Sequence, residues 1–74
     1  MFIRLAYTSV AGMQEDVLIF HMVDVKVTDV LQKMGHLLGK HHMVYLYNEQ
    51  GTIMKNWENV EHGRSYTLVR RSKV

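Results

Sequence analysis

The sequence predicts an α+β fold in which a single helix packs across a mixed sheet of four to five strands. Three observations lead to this expectation. The chain opens with alternating β-forming residues, its middle repeats apolar residues at helical spacing, and its end returns to β-forming residues. At 74 residues and 47% apolar content, residues 1–74 are expected to form one domain near the lower size limit for a self-sufficient core.

The first third of the chain is predicted to form a β-hairpin. Residues 2–8 and 17–23 are rich in β-forming side chains, and residues 9–16, with Gly12 and a Gln-Glu-Asp run, predict the turn between them. His21 is expected to face outward, because successive strand side chains alternate between faces. The predicted inward-facing set is Ile3, Leu5, Tyr7, Leu18, Phe20 and Met22.

A change to helical periodicity predicts a helix over residues 27–38. Its apolar stripe consists of Val27, Val30, Leu31, Met34, Leu37 and Leu38. Asp24 or Thr28 is expected to help cap the first turn, and Gly39 is expected to end the helix. Gly35 lies inside the helix, where glycine costs about 1 kcal/mol relative to alanine, and it is expected to mark a close approach to the sheet.

Three further strands are predicted in the C-terminal half. The predicted segments are strands at 43–47, 52–57 and 65–71, a turn at 48–51 and a polar loop at 58–63. Tyr66 and Leu68 are expected to face inward, and Trp57 is expected to pack against the sheet edge or the end of the core. The first and last strands are expected to pair in parallel at the centre, because a crossover separates them.

The composition bounds the classes of function. The chain has no cysteine, which excludes a disulfide framework and a thiolate zinc site. Adjacent His41 and His42 would point to opposite sides of an extended segment, so no metal site is predicted. Without a cysteine nucleophile, a Gly-x-Ser-x-Gly elbow or a Walker loop, we expect no enzyme, catalytic residue, cofactor or small-molecule substrate. Neither a membrane-spanning stretch nor a secretory signal is evident, so an intracellular protein, cytoplasmic or nuclear, is expected.

The order of elements and three short stretches resemble the ubiquitin-like superfamily. The stretches are Val-Thr-Asp-Val-Leu at 27–31, Val-Tyr-Leu-Tyr-Asn-Glu-Gln-Gly at 44–51 and Gly-Arg-Ser-Tyr-Thr-Leu-Val at 63–69. The Leu-Tyr…Gly and Gly-x-x-Tyr pieces resemble doublecortin-type domains, and the ending 65–71 resembles the DWNN type. The resemblance implies a β-grasp fold over 1–74. Ubiquitin-type modifiers end in Gly-Gly, whereas this sequence ends in Arg-Arg-Ser-Lys-Val, so conjugation is not implied.

A protein-binding surface is predicted on the outward face of the sheet. If the other residues of the third strand face the helix, alternation exposes its tyrosines and, on the last strand, every second residue. The predicted set is Tyr45, Tyr47, Thr67, Val69 and Arg71, and the equivalent ubiquitin faces form that protein's main docking patch. Interfaces favour Tyr and Arg. We therefore expect a non-catalytic adaptor or scaffold that binds a protein partner or forms a homo-oligomer.

An alternative function follows from the charge of the C-terminal segment. The formal net charge is only +2, but Arg64, Arg70, Arg71 and Lys73 lie within the last eleven residues. Such a cluster predicts docking on a polyanion, either a microtubule or nucleic acid. Tyr45 and Tyr47 would then be available to stack on the bases of a single strand. The simpler interpretation is a solvated charged tail.

Overall fold

The structure, a computed structural model, describes residues 1–9, 11–38 and 42–72, with side chains except at 9, 36–38, 42–43 and 71–72. The elements are β1 Phe2–Ser9, β2 Gly12–Ile19, α1 Val27–Leu38, β3 His42–Tyr47, β4 Ile53–Met54 and β5 Ser65–Ser72. The predictions for Gly39, His41 and Lys73 fall outside the described residues. In the described ranges, no helix is long and apolar enough to cross a bilayer.

The strands form one five-stranded mixed sheet in the order β2-β1-β5-β3-β4. β1 and β5 pair in parallel at the centre, and every other neighbouring pair is antiparallel. The predicted α+β class, the mixed sheet and the central parallel pair are thus confirmed. β4 is shorter than predicted, since only Ile53–Met54 of the expected 52–57 pairs with β3.

The hairpin differs from its prediction in where the second strand begins and ends. β2 starts at Gly12 rather than at residue 17, and Ser9 pairs directly with Gly12. Gly12 has a φ of 108°, a backbone conformation that glycine adopts without steric cost, so the chain reverses immediately after β1. The polar run at 14–16 consequently lies in a strand, and Met22, predicted inward, is 42% exposed.

The helix begins where it meets the loop that precedes β5. The N–H of Val27 donates to the carbonyl of Glu58 at 3.0 Å, and the N–H of Thr28 donates to that of Asn56 at 3.2 Å. Asp29 lies in the first turn and accepts a hydrogen bond from the N–H of Lys26 at 2.9 Å. Backbone carbonyls from another part of the chain therefore satisfy N–H groups that a side-chain cap was expected to satisfy.

The core lies between α1 and the inner face of the sheet. Its buried side chains are Ile3, Leu5, Tyr7, Leu18, Phe20, Val25, Val27, Val30, Met34, Leu46, Val60, Tyr66 and Leu68. The predicted inward positions of β1 and β5 are confirmed by this set. Two other expectations are wrong: Trp57 is 70% exposed, and a Cβ built on Gly35 would have no neighbour within 4 Å.

Candidate functional site

The candidate site is the sheet face opposite α1, here called the outer face. The strand register carries one row of residues across all five strands. The row is Glu15, Ala6, Thr67, Tyr47 and Ile53, each residue being the register partner of the next. Because side chains alternate along each strand, the neighbours two residues away on each strand share this face.

The structure brings together the residues predicted to bind protein. Tyr45 is the register partner of Val69, and Tyr47 is the partner of Thr67, so the four form two adjacent cross-strand pairs. Tyr45, Tyr47 and Val69 are half-buried, whereas Thr67 is exposed. The backbone of Arg71 pairs with Met43 one step further along the same two strands. The four described members of the predicted surface, Tyr45, Tyr47, Thr67 and Val69, are therefore neighbours on β3 and β5, and the side chain of Arg71 lies outside the described residues.

The outer face also extends over β1 and β2, which the sequence analysis did not single out. Val17 and Ile19 are each 58% exposed and Met13 is 73% exposed. A shallow apolar cavity of about 270 Å³ is lined by Met1, Phe2, Val17 and Ile19. The signal was present in the sequence, because the run Val17–Phe20 is apolar on both faces of its strand. The inward residues of this run belong to the core, and its outward residues form an apolar part of the outer face.

Charge is sparse on the outer face. Among the side chains that the structure describes there, the charged residues are Arg4, on the same face as Ala6, and Glu15. Arg4 is the register partner of Val17 on one side and of Ser65 on the other. The described part of the face is mainly aliphatic, aromatic and hydroxyl-bearing, so a partner that covers it removes few charges from water.

Of the residues predicted to bind a polyanion, the structure describes the side chains of Arg64 and Arg70, and these two lie apart. Arg64 immediately precedes β5 and pairs with Glu49 and Glu61, each at 3.3 Å. Arg70 lies six residues along, a distance of about 20 Å in a strand. The side chain of Arg71 lies outside the described residues. Polyanion binding by this set stays a prediction, with Arg64 already neutralised by two carboxylates.

Two buried tyrosines have hydroxyl groups that connect elements of the fold. The Tyr7 hydroxyl donates to Asp16 at 2.5 Å across the β1–β2 hairpin, and this hydrogen bond, reinforced by burial, raises the pKa of Tyr7. The Tyr66 hydroxyl accepts the N–H of Glu61 at 2.8 Å. Burial raises the pKa of Tyr66, and the hydrogen bond from Glu61 opposes that effect. Both contacts have a structural explanation, because each ties a neighbouring segment to the sheet.

His62 is likewise held within the fold. Its Nδ1 accepts the N–H of Phe2 at 3.1 Å, and its ring meets that of Phe2 edge-on with centroids 4.6 Å apart. Within the described ranges, no three His, Asp or Glu residues are grouped as a metal ion would require.

Comparisons with known proteins identify no relative. The sequence matches no protein-family model and no curated protein. No solved structure matches the chain. Any function must therefore be argued from the geometry of this chain alone.

Proposed function

We propose that this chain is a non-catalytic, ubiquitin-like β-grasp domain that binds a protein partner, or itself, through the outer face of its sheet. The observation that carries the proposal is the cross-strand register pairing of Tyr45 with Val69 and of Tyr47 with Thr67 on the face opposite the helix. The β-grasp assignment is supported by the strand order and by the parallel pairing of β1 with β5 after a helical crossover.

The chemistry of the face supports protein as the ligand. Cross-strand aromatic and β-branched pairs form a rigid surface, because the sheet hydrogen bonds fix the strands and each tyrosine has few rotatable bonds. Tyrosines contribute strongly to binding when a partner removes them from water. With Arg4 and Glu15 as its described charges, the face requires little compensation of buried charge by the partner.

The lack of a catalytic role is supported by the contacts of the ionisable groups. The raised pKa of Tyr7 arises from Asp16 within the hairpin, and Arg64 is held by exposed glutamates beside the loop. These groups do not converge on one cavity. The shallow concavity beside Tyr47, of about 610 Å³, is lined mainly by turn and hydroxyl residues and is broadly open.

A double variant tests the proposal. Tyr45→Ala with Val69→Ala removes one cross-strand pair from the outer face and should weaken partner binding by about 30-fold or more, since each such truncation costs about 1–2 kcal/mol at an interface. Partners would be captured on the immobilised wild-type domain, identified, purified and titrated by calorimetry against both proteins. Circular dichroism and thermal melting would establish that the variant is folded.

The matched control alters the opposite side of the molecule. Gln32 and Lys33 are exposed on α1, and Gln32→Ala with Lys33→Ala should leave the affinity unchanged. Full affinity in the folded sheet variant, or an equal loss in the helix variant, would refute binding through the outer face.

A further inference from the structure

β2 presents an open hydrogen-bonding edge. Met1 and Phe20 exchange both of their main-chain hydrogen bonds, at 3.0 and 2.9 Å. In an antiparallel ladder such pairs recur at every second residue, so the even-numbered residues of β2 bond to β1 and the odd-numbered ones face away. The outward N–H and C=O groups belong to Met13, Glu15, Val17 and Ile19. Within the described chain these groups have no main-chain partner, since β2 ends the sheet.

The side chains on the same residues are exposed and mostly apolar. Val17 and Ile19 are each 58% exposed on the outer face, and Met13 is 73% exposed. Edge strands are usually protected against pairing by charged side chains, especially lysine, or by proline, bulges or short length. β2 has neither lysine nor proline, runs for eight residues and keeps an unbroken register with β1. Its charged residues are Glu15 and Asp16, and Asp16 is held inside the hairpin by the Tyr7 hydroxyl. The opposite edge, β4, is two residues long and is followed by Lys55.

We propose that a second copy of the chain covers this edge, by antiparallel β2–β2 pairing about a two-fold axis through Val17. This deepens the proposed function and rests on it, because it names the partner and extends the outer face across two molecules. Two identical antiparallel strands form a closed, self-complementary contact. The two sheets would then join as one continuous sheet, with both outer faces on the same side.

Charge selects the register. An axis through Asp16 would place two Asp16 carboxylates directly opposite each other, which destabilises a cross-strand pair. An axis through Leu18 would pair Val17 with Ile19 and give only about four main-chain hydrogen bonds, because the next outward pair would need residue 21, beyond the end of β2. An axis through Val17 pairs Glu15 with Ile19 and Asp16 with Leu18, so no carboxylate opposes another.

The Val17 register also gathers the exposed apolar side chains. It joins the outward groups of Glu15, Val17 and Ile19 in about six main-chain hydrogen bonds. It places the two Val17 and two Ile19 side chains in one cluster on the outer face. The contact is smaller than a standard interface, so we expect a dissociation constant of about 10 μM to 1 mM.

Single cysteines test the register directly, because the chain has none of its own. At a hydrogen-bonded antiparallel pair the Cα atoms are about 5.5 Å apart, within the range that a disulfide spans. In a buffer of reduced and oxidised glutathione, in which the oxidised form is the oxidant, Val17→Cys should therefore form a disulfide-linked dimer at least 10-fold faster than Met13→Cys. Met13 is similarly exposed, but its two copies would lie about 27 Å apart along the ladder.

A mixed experiment separates this register from random collision. Glu15→Cys and Ile19→Cys should each dimerise slowly alone, since each residue and its own copy lie about 14 Å apart. Mixed together, they should give the heterodimer preferentially. Equal rates for Val17→Cys and Met13→Cys, or fast self-dimers of Glu15→Cys, would overturn the proposed pairing.

Sedimentation of proteins without added cysteines tests the unlinked state. Wild type should show a concentration-dependent dimer, and folded Val17→Lys should remain a monomer because two ammonium groups would meet at the axis. Ile53 lies at the β4 edge and is 46% exposed, and the Ile53→Lys variant should dimerise as the wild type does. A wild type that stays monomeric at millimolar concentration, or a dimer unaffected by Val17→Lys, would contradict the proposal.

The two proposals fail separately. Tyr45→Ala with Val69→Ala alters the outer face on β3 and β5 but leaves the β2 edge intact. If that variant loses partner binding while Val17→Cys does not cross-link, the interaction function stands and the β2 dimer is overturned. If Val17→Cys cross-links while the double variant binds partners fully, the β2 contact stands but its role in extending the outer face is lost, and the outer-face function is overturned.

Discussion

Replacing Gly35 with alanine should stabilise the domain. Gly35 lies within α1, and a Cβ added there would meet nothing within 4 Å outside its own helix. Alanine is favoured over glycine in a helix because glycine loses more backbone freedom on folding. With no steric cost to oppose this gain, the expected stabilisation is about 0.5–1 kcal/mol, equivalent to a Tm increase of about 3–6 °C in a domain of this size.

Gly51 provides a matched control with the opposite sign. A Cβ at Gly51 would also meet nothing within 4 Å, but its φ is 78°. The left-handed region costs a residue with a Cβ about 1–2 kcal/mol, so Gly51→Ala should lower the Tm by several degrees. The two substitutions add the same atoms to open space, and they differ in backbone conformation.

The assay is thermal and urea unfolding of wild type and both variants, followed by circular dichroism at low protein concentration to keep the chain monomeric. The expected order of stability is Gly35→Ala, wild type, Gly51→Ala. A loss of stability in Gly35→Ala would mean that α1 approaches another element there. If both substitutions changed the stability by the same amount in the same direction, backbone conformation could not be what sets the sign of the change.

Two further predictions concern pH and salt. The raised pKa of Tyr7 means that the folded state keeps a proton that the unfolded chain releases above its ordinary value of 10.0, so stability should fall as pH rises through that value. Urea midpoints measured from about pH 8 to pH 11 should fall less for Tyr7→Phe than for wild type. Tyr66, whose pKa is also raised, should contribute to the fall in both proteins. Parallel curves for the two proteins would contradict the role of the Asp16 contact. If the C-terminal cations bind a microtubule or nucleic acid, Arg70→Ala with Arg71→Ala should reduce the slope of log affinity against log salt by about two. Arg64→Ala should reduce it less, because Glu49 and Glu61 already pair with Arg64; filter binding and co-sedimentation would measure this, and salt-insensitive binding would exclude the polyanion hypothesis.

The sequence alone was sufficient to predict elements whose signal is local. Apolar spacing over residues 27–38 predicted a helix there, and α1 spans Val27–Leu38. Alternation predicted the buried residues of β1 and the inward placement of Tyr66 and Leu68. The Asn48 turn was also predictable, because its side chain accepts the N–H groups of Gln50 and Thr52 within the turn itself.

Other features depended on contacts between distant parts of the chain. The start of β2 was mispredicted because Gln14, Glu15 and Asp16 resemble a turn in isolation, whereas pairing with β1 makes them an edge strand. Trp57 was expected to be covered, but the backbone of its turn is used to satisfy the start of α1, and its ring stays exposed beside Lys55. Neither outcome has a local signal.

For the outer face, the sequence determined which residues share a side, and only the tertiary structure decided which of them are neighbours. Strand alternation follows from backbone geometry and needs no partner, so Tyr45, Tyr47, Thr67 and Val69 could be assigned to one side in advance. Their pairing depends on the register between β3 and β5. The open edge at Val17 depends on the strand order, which is set by how the crossover and the core pack together.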